Sequence, residues 1–277
     1  MITKSSIKYN NDAVPAHYAW NPGGFGCSKG CRYCWAKEFA SRGMSQCDKC
    51  KAFEVHLHEE RLDWPMRRKK PAVILVNFTC DTFDRARSVE DILEILHACA
   101  IAPWHNYVFL TKEPQRMHLC GVEWGKVWPE NWWMGGTVTD DRSMNEYANG
   151  SFWATGKHWI SMEPIAGGRI DLHLGLLRHK LKGVIIGQDS RKPRLIPARV
   201  ERNAAGKIYK GLSMPAHRVG WPGQGDLEAV GFVVEQLERW KIPIYVKQLW
   251  IDGELRTDPK YFPRYLRRRD IPWALPT

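Results

Sequence analysis

Apolar blocks separated by short polar ones give this chain its plan. The run Ala72-Val73-Ile74-Leu75-Val76-Asn77-Phe78 is apolar almost without a break. A strand apolar on both faces belongs in a buried parallel sheet. It stops at Thr79-Cys80-Asp81, and Ser88-Val89-Glu90-Asp91 follows as a capping-box-like helix start. Val89, Ile92, Leu93 and Leu96 then mark one helical face. The alternation recurs. Tyr107–Leu110 ends in Thr111-Lys112, and Trp132–Gly136 ends in Thr137-Val138-Thr139-Asp140. His158–Met162 ends in Glu163-Pro164, and Val184–Gly187 ends in Gln188-Asp189-Ser190. A helix over about 226–240 leads to Ile242–Val246, which ends in Lys247-Gln248. Upstream, His17–Trp20 reads as a short first strand that feeds a loop, and residues 35–42 as a helix stopped by Gly43. Residues 1–14 are polar and read as frayed or as a short edge. Every candidate strand closes on a polar or charged residue. In parallel α/β folds the carboxyl ends of the strands carry the site, so the pattern predicts an α/β barrel with one polar mouth.

Two segments break the rhythm. Residues 191–225 hold Arg191, Lys192, Arg194, Arg199, Arg202, Lys207 and Lys210 among several Gly and Pro, and read as a basic loop inserted at the mouth. Residues 251–277 form a basic, aromatic C-terminal extension expected to pack on the barrel. A chain of 277 residues, 44 % of them hydrophobic, is normal for one such barrel. No run of 18 apolar residues predicts a membrane span, and the N-terminus lacks an apolar signal core. The expectation is a cytoplasmic protein. Eight cysteines then read as metal ligands or buried thiols rather than a disulfide scaffold. A formal charge of +11 together with 14 Trp fits a nucleic-acid partner, through phosphate attraction and base stacking. The same numbers also fit a soluble surface over a Trp-filled core.

The chemistry concentrates in Cys27-Ser28-Lys29-Gly30-Cys31-Arg32-Tyr33-Cys34. Tetrahedral zinc takes four ligands, and this run offers three. A [4Fe–4S] cube held by three cysteines keeps one iron free of protein ligands. A zinc knuckle completed from elsewhere, or three unrelated thiols, are the other readings. A second group follows within 44–60: Cys47-x2-Cys50, then His56-x-His58. Zinc takes such Cys2His2 sets; a second cluster, or imidazoles hydrogen-bonded in a core, would use the same residues. The basic run Arg67–Lys70 reads as a solvated face or a phosphate contact.

The opening W-N-P…G-C-x3-C-x2-C-W-A, from Trp20 to Ala36, resembles a phage-associated family of uncharacterised radical S-adenosylmethionine (radical SAM)-like proteins. So do residues 58–63, 109–112, 159–164, 183–187 and 246–248. The likeness runs over roughly residues 17–250, outside the loop 191–225. It implies a partial or nearly closed parallel (β/α) barrel over residues 1–250. It also implies a [4Fe–4S] cluster on Cys27, Cys31 and Cys34, and SAM chelated to the free iron. Tyr33 stands where the family aromatic packs near the adenine. Thr79 to Asp81 fall where the SAM amino group is commonly held, although no Gly-Gly-Glu is present here. Thr137 and Glu163 end strands where ribose and carboxylate contacts usually arise, and Gln188 ends the next. Lys112 and Lys247 read as substrate or carboxylate contacts, and Cys80 as a candidate hydrogen-atom donor or an inert buried thiol. The resemblance implies reductive cleavage of SAM to a 5′-deoxyadenosyl radical and an electron donor of flavodoxin or ferredoxin type. It does not supply the substrate, which charge and Trp content point to as a nucleic-acid base or nucleotide. The competing class is a non-catalytic nucleic-acid-binding protein stabilised by metal.

Overall fold

The computed structural model describes residues 3–4, 17–43, 45–125, 127–152, 156–165, 170–177, 179–188, 227–251 and 254–270. The basic insertion expected at 191–225 lies outside them. Among the described residues nine strands form one sheet in chain order: β1 (Thr3–Lys4), β2 (His17–Trp20), β3 (Val73–Val76), β4 (Asn106–Thr111), β5 (Trp132–Thr137), β6 (Lys157–Met162), β7 (Leu181–Gly187), β8 (Ile244–Ile251) and β9 (Glu254–Arg256). Strands β2 through β8 pair in parallel, with an antiparallel strand at each edge. The helices α1 (Trp35–Ala40), α2 (Asp48–Lys51) and α3 (Trp64–Arg67) lie between β2 and β3. Then α4 (Val89–Ala100), α5 (Pro114–Trp124), α6 (Asp141–Phe152), α7 (Leu174–Leu177) and α8 (Leu227–Arg239) each separate two consecutive strands. Ser88 caps α4 by accepting the Asp91 N–H at 3.0 Å, as its sequence predicts.

The apolar runs are buried on both sides, for two different reasons. On one face, Ile74, Val76, Phe109, Trp132 and Met134 join Ile92, Ile95 and Leu96 of α4 and Met117 of α5 in one core. Farther along that face, Ile160, Met162, Val184, Ile186 and Val246 pack with Met144 of α6 and with Val230, Val233 and Leu237 of α8. On the other face, Val73, Leu75, Val108, Trp133, Trp159, Ile185 and Tyr245 form a cluster drawn from β3 through β8 with no helical member. Among the described residues this second face is buried by side chains of the strands themselves, with Phe78 and Leu110 packed against them. Gly135 sits opposite the Trp159 indole, where a Cβ would collide with the ring. The architecture is α/β with one mostly parallel sheet. Among the described residues no pairing joins β8 back to β2, so the sheet is open rather than closed.

Local structure differs from expectation in two places. The H-x-H segment, whose spacing would put both imidazoles on one face of a strand, is instead irregular backbone, because its N–H and C=O groups serve loop contacts rather than a ladder. Strand β8 continues past Val246 through Lys247 and Gln248 and turns back as β9. The extension beyond it packs on the sheet: the Val246 N–H donates to Arg268 O at 2.9 Å, and Phe262 and Leu266 join the core beside α8. Among the described residues no helix is long and apolar enough to cross a membrane.

Candidate functional site

The loop that leaves β2 is stitched to the end of β3 before it reaches its first cysteine. Asn77, held at φ +56°, accepts the Gly23 N–H at 2.9 Å through its side-chain oxygen. The Thr79 hydroxyl donates to Gly24 O at 2.5 Å, and its N–H donates to the Asn21 side chain at 3.3 Å. Gly26 bridges Cys80 in parallel register. Ser28 then donates both its N–H and its hydroxyl to Asp84, at 2.7 Å each. Burial works against the Asp84 carboxylate, yet the donors from Ser28 and Ala86 hold its carboxyl below the usual range. Two motif sulfurs accept backbone N–H groups: Cys27 from Lys29 at 3.5 Å and Cys34 from Lys37, in the first turn of α1, at 3.4 Å.

Cys27, Cys31 and Cys34 line one wall of a cavity of about 260 Å³ at the carboxyl ends of the strands. Tyr33 lies between the last two, with its phenol pushed upward by burial and by Cys31 beside it. Every other residue expected at the cluster, SAM or substrate position borders the same cavity: Thr79, Cys80 and Asp81 after β3, Lys112 after β4, Thr137 ending β5, Glu163 after β6, Gln188 after β7 and Lys247 in β8. The sequential strand order produces this convergence, since each crossover returns the chain to the same edge.

These groups are tied to one another. Lys247 Nζ donates to Glu163 Oε1 at 2.6 Å, and the Ser161 hydroxyl donates to Glu163 Oε2 at 3.1 Å. Lys112 Nζ donates to the Thr137 hydroxyl at 3.2 Å and stands 5.7 Å from the centre of the Tyr33 ring. Asp81 is a strut: Oδ1 accepts the Phe83 N–H, and Oδ2 accepts the Thr111 hydroxyl and the Lys112 N–H, at 2.9 to 3.0 Å. Burial raises its carboxyl pKa against those donors. Burial also pushes the Cys80 thiol up to about 12, so it stays protonated at neutral pH.

Sequence reasoning missed Asp84, Arg87, Asn77 and Ser161. Arg87 is fully buried; it donates to His56 O at 2.7 Å and reaches Cys80 Sγ at 3.9 Å. In sequence, Asp81-Thr82-Phe83-Asp84-Arg85-Ala86-Arg87 reads as an ordinary polar loop. Only its position directly after a buried strand marks it.

A second group stands behind the same loop. The ligand atoms of Cys47, Cys50, His56 and His58 all lie within 4.8 Å of one another, a set that can hold a metal ion such as zinc. Among the described residues it is the one group of three or more His, Cys, Asp or Glu side chains gathered in this way.

No curated protein and no solved structure matches the chain. Residues 5–199 match a family described as "Protein of unknown function (DUF5131)", and over that span the chain belongs to it.

Proposed function

We propose that the chain is a radical SAM enzyme in which Cys27, Cys31 and Cys34 hold a [4Fe–4S] cluster. The observation that carries this reading is the shared cavity. The three motif thiols, the polar ends of β3 through β7 and Lys247 and Gln248 of β8 border one space. The donor set fits the group: three thiols suit a cube with one open iron, and N–H groups directed at Cys27 and Cys34 are the kind of contact that tunes such a cluster. The mostly parallel, open sheet is read as the partial barrel of that enzyme class. When bound, cluster and SAM would supply one-electron cleavage of the sulfonium to methionine and a 5′-deoxyadenosyl radical able to take an unactivated hydrogen.

The chain's own residues orient and shield. Glu163, fixed by Ser161 and Lys247, offers carboxylate and ammonium side by side for the zwitterionic end of SAM. Thr79, Thr137 and Gln188 supply neutral polar contacts, and Tyr33 an apolar ring face. Lys112 is the cation that faces substrate. Cys80, protonated and bordering the cavity, is placed to return a hydrogen atom. The substrate reading is a nucleic-acid base or nucleotide, supported by the charge of +11 and by Trp35, 52 % exposed at the cavity rim. A small flavodoxin or ferredoxin would deliver the electron.

The test is anaerobic incubation of iron- and sulfide-reconstituted protein with SAM and a strong reductant. The expected products are 5′-deoxyadenosine and methionine, with a rate that rises on adding the right nucleic acid. A loaded cluster that yields no 5′-deoxyadenosine would overturn the enzyme reading. A colourless, iron-free protein that binds nucleic acid would replace it with the non-catalytic one.

A further inference from the structure

We propose that Cys47, Cys50, His56 and His58 hold one structural zinc ion, and that this ion clamps the glycine turn leading to Cys27. The proposal does not rest on the reading of the motif thiols as cluster ligands.

The spacing of the four ligand atoms comes first. Zn–S bonds of about 2.3 Å and Zn–N bonds of about 2.0 Å put tetrahedral ligand edges at about 3.5 Å for S···N and about 3.3 Å for N···N. His56 Nε2 lies 3.6 Å from Cys47 Sγ and 3.4 Å from Cys50 Sγ, and His58 Nε2 lies 3.3 Å from Cys50 Sγ. The two Nε2 atoms are 2.9 Å apart.

The ring tautomers follow from the outer partners. His56 Nδ1 is 2.7 Å from Glu54 O, a carbonyl that can only accept, so Nδ1 carries a hydrogen. His58 Nδ1 donates in the same way to Glu60 Oε1 at 2.8 Å. In neutral rings this leaves a bare lone pair on each Nε2, the two facing each other with two sulfurs beside them. A shared cation resolves that contact. Histidines that ligate metal characteristically give their other N–H to a carbonyl or carboxylate, as both do here. Two thiolates balance a divalent charge, so the half-buried site is neutral once the thiols release their protons.

The clamp is the second observation. The Phe25 N–H donates to Cys50 Sγ at 3.4 Å, and the His58 N–H donates to Pro22 O at 2.7 Å. Gly24, at φ +59°, lies so close that a Cβ would come 2.7 Å from Cys50 Sγ and 2.8 Å from His58 Nε2. The ligand group and the turn that presents the motif thiols are therefore one packed unit.

The experiment is elemental analysis combined with limited proteolysis of the full chain. Wild type should carry about one zinc, and Cys27→Ala/Cys31→Ala/Cys34→Ala should keep it. Cys50→Ala and His58→Ala should lose at least nine-tenths of it. Because those variants can misfold, wild type is also stripped with a chelator. Cleavage within residues 20–34 should then accelerate at least tenfold and slow again when zinc alone is restored. Zinc-free wild type, zinc lost from the triple variant, zinc kept by Cys50→Ala and His58→Ala, or cleavage indifferent to stripping would each overturn the proposal.

Discussion

Cys47 and Cys50 face two imidazoles, whereas Cys27, Cys31 and Cys34, on the same stretch of chain, face a cavity. The first group converges its own four ligand atoms, fixes both rings from outside and packs against Gly24. The second spreads three thiols along a cavity wall that also holds Lys112, Lys247, Glu163, Gln188 and Thr137 beside apolar residues such as Phe78, Leu110 and Pro164. Structural metal sites are closed and catalytic ones keep a position open. By that criterion the proposed zinc centre would steady the loop and the proposed open cluster would carry the chemistry. Charge follows the same division. Near the open set lie the ammonium groups of Lys112 and Lys247, suited to anionic ligand groups, while the closed set needs only its own two thiolates to match a divalent ion.

The largest expected effect separates the two groups outright. Replacing Cys27, Cys31 and Cys34 together with Ala should take iron after reconstitution from about four per chain to none. Iron analysis and the loss of iron–sulfur absorption read this out; full iron in the triple variant would erase the distinction.

A matched pair of glycine variants tests the packing difference. Gly24→Ala combines positive φ with a collision on Cys50 and His58, and should cost about 3 kcal/mol. Gly30→Ala shares the positive φ, +66°, but has nothing within 4 Å, and should cost about 1 kcal/mol. Denaturant midpoints decide, and equal losses would show that the turn does not lean on the ligand group.

Asp84 joins the thiol loop to the chain after β3. Asp84→Asn should destabilise the protein by about 2 kcal/mol, the scale of hydrogen bonds to a charged acceptor. The sign with pH follows from its lowered folded pKa. The folded chain binds this proton less readily than the unfolded one, so the stabilisation is complete above the free value of 3.8 and is lost as pH falls through the folded value. Stability measured against pH should therefore decline less steeply in acid for the Asn variant. An unchanged acid limb would remove Asp84 from the account.

The smallest effect is on ligand affinity. Glu163→Gln keeps the shape but removes the charge partner of Lys247. SAM binding, read by calorimetry, should weaken roughly tenfold, about 1.4 kcal/mol, with iron content unchanged. Unaltered affinity would place SAM elsewhere in the cavity.

The strands were legible because burial on both faces writes itself as unbroken apolar runs, and their polar ends as interruptions. Residues that became the cavity wall could be named for that reason, from Thr79 through Lys247. The ligand quartet was legible because short spacing keeps its members together whether the backbone is strand or loop. What escaped was carried by distant contacts with no local pattern. Ser28 and Asp84 are 56 residues apart in sequence, Arg87 and His56 are 31 apart, and neither pair leaves a periodic trace. Asp81 was legible as a strand-end carboxylate, but not as a strut whose oxygens already accept Phe83, Thr111 and Lys112. The expected partial or nearly closed barrel left closure undecided, since alternation alone does not say whether the last parallel strand meets the first; among the described residues it does not.

The central claim is that the motif thiols hold a cluster whose unligated iron takes SAM. Electron paramagnetic resonance of the reconstituted, reduced protein, recorded with and without SAM, tests it most directly. The account predicts a [4Fe–4S] signal that shifts when SAM is added and is absent from the triple cysteine variant. A signal identical with and without SAM would contradict it.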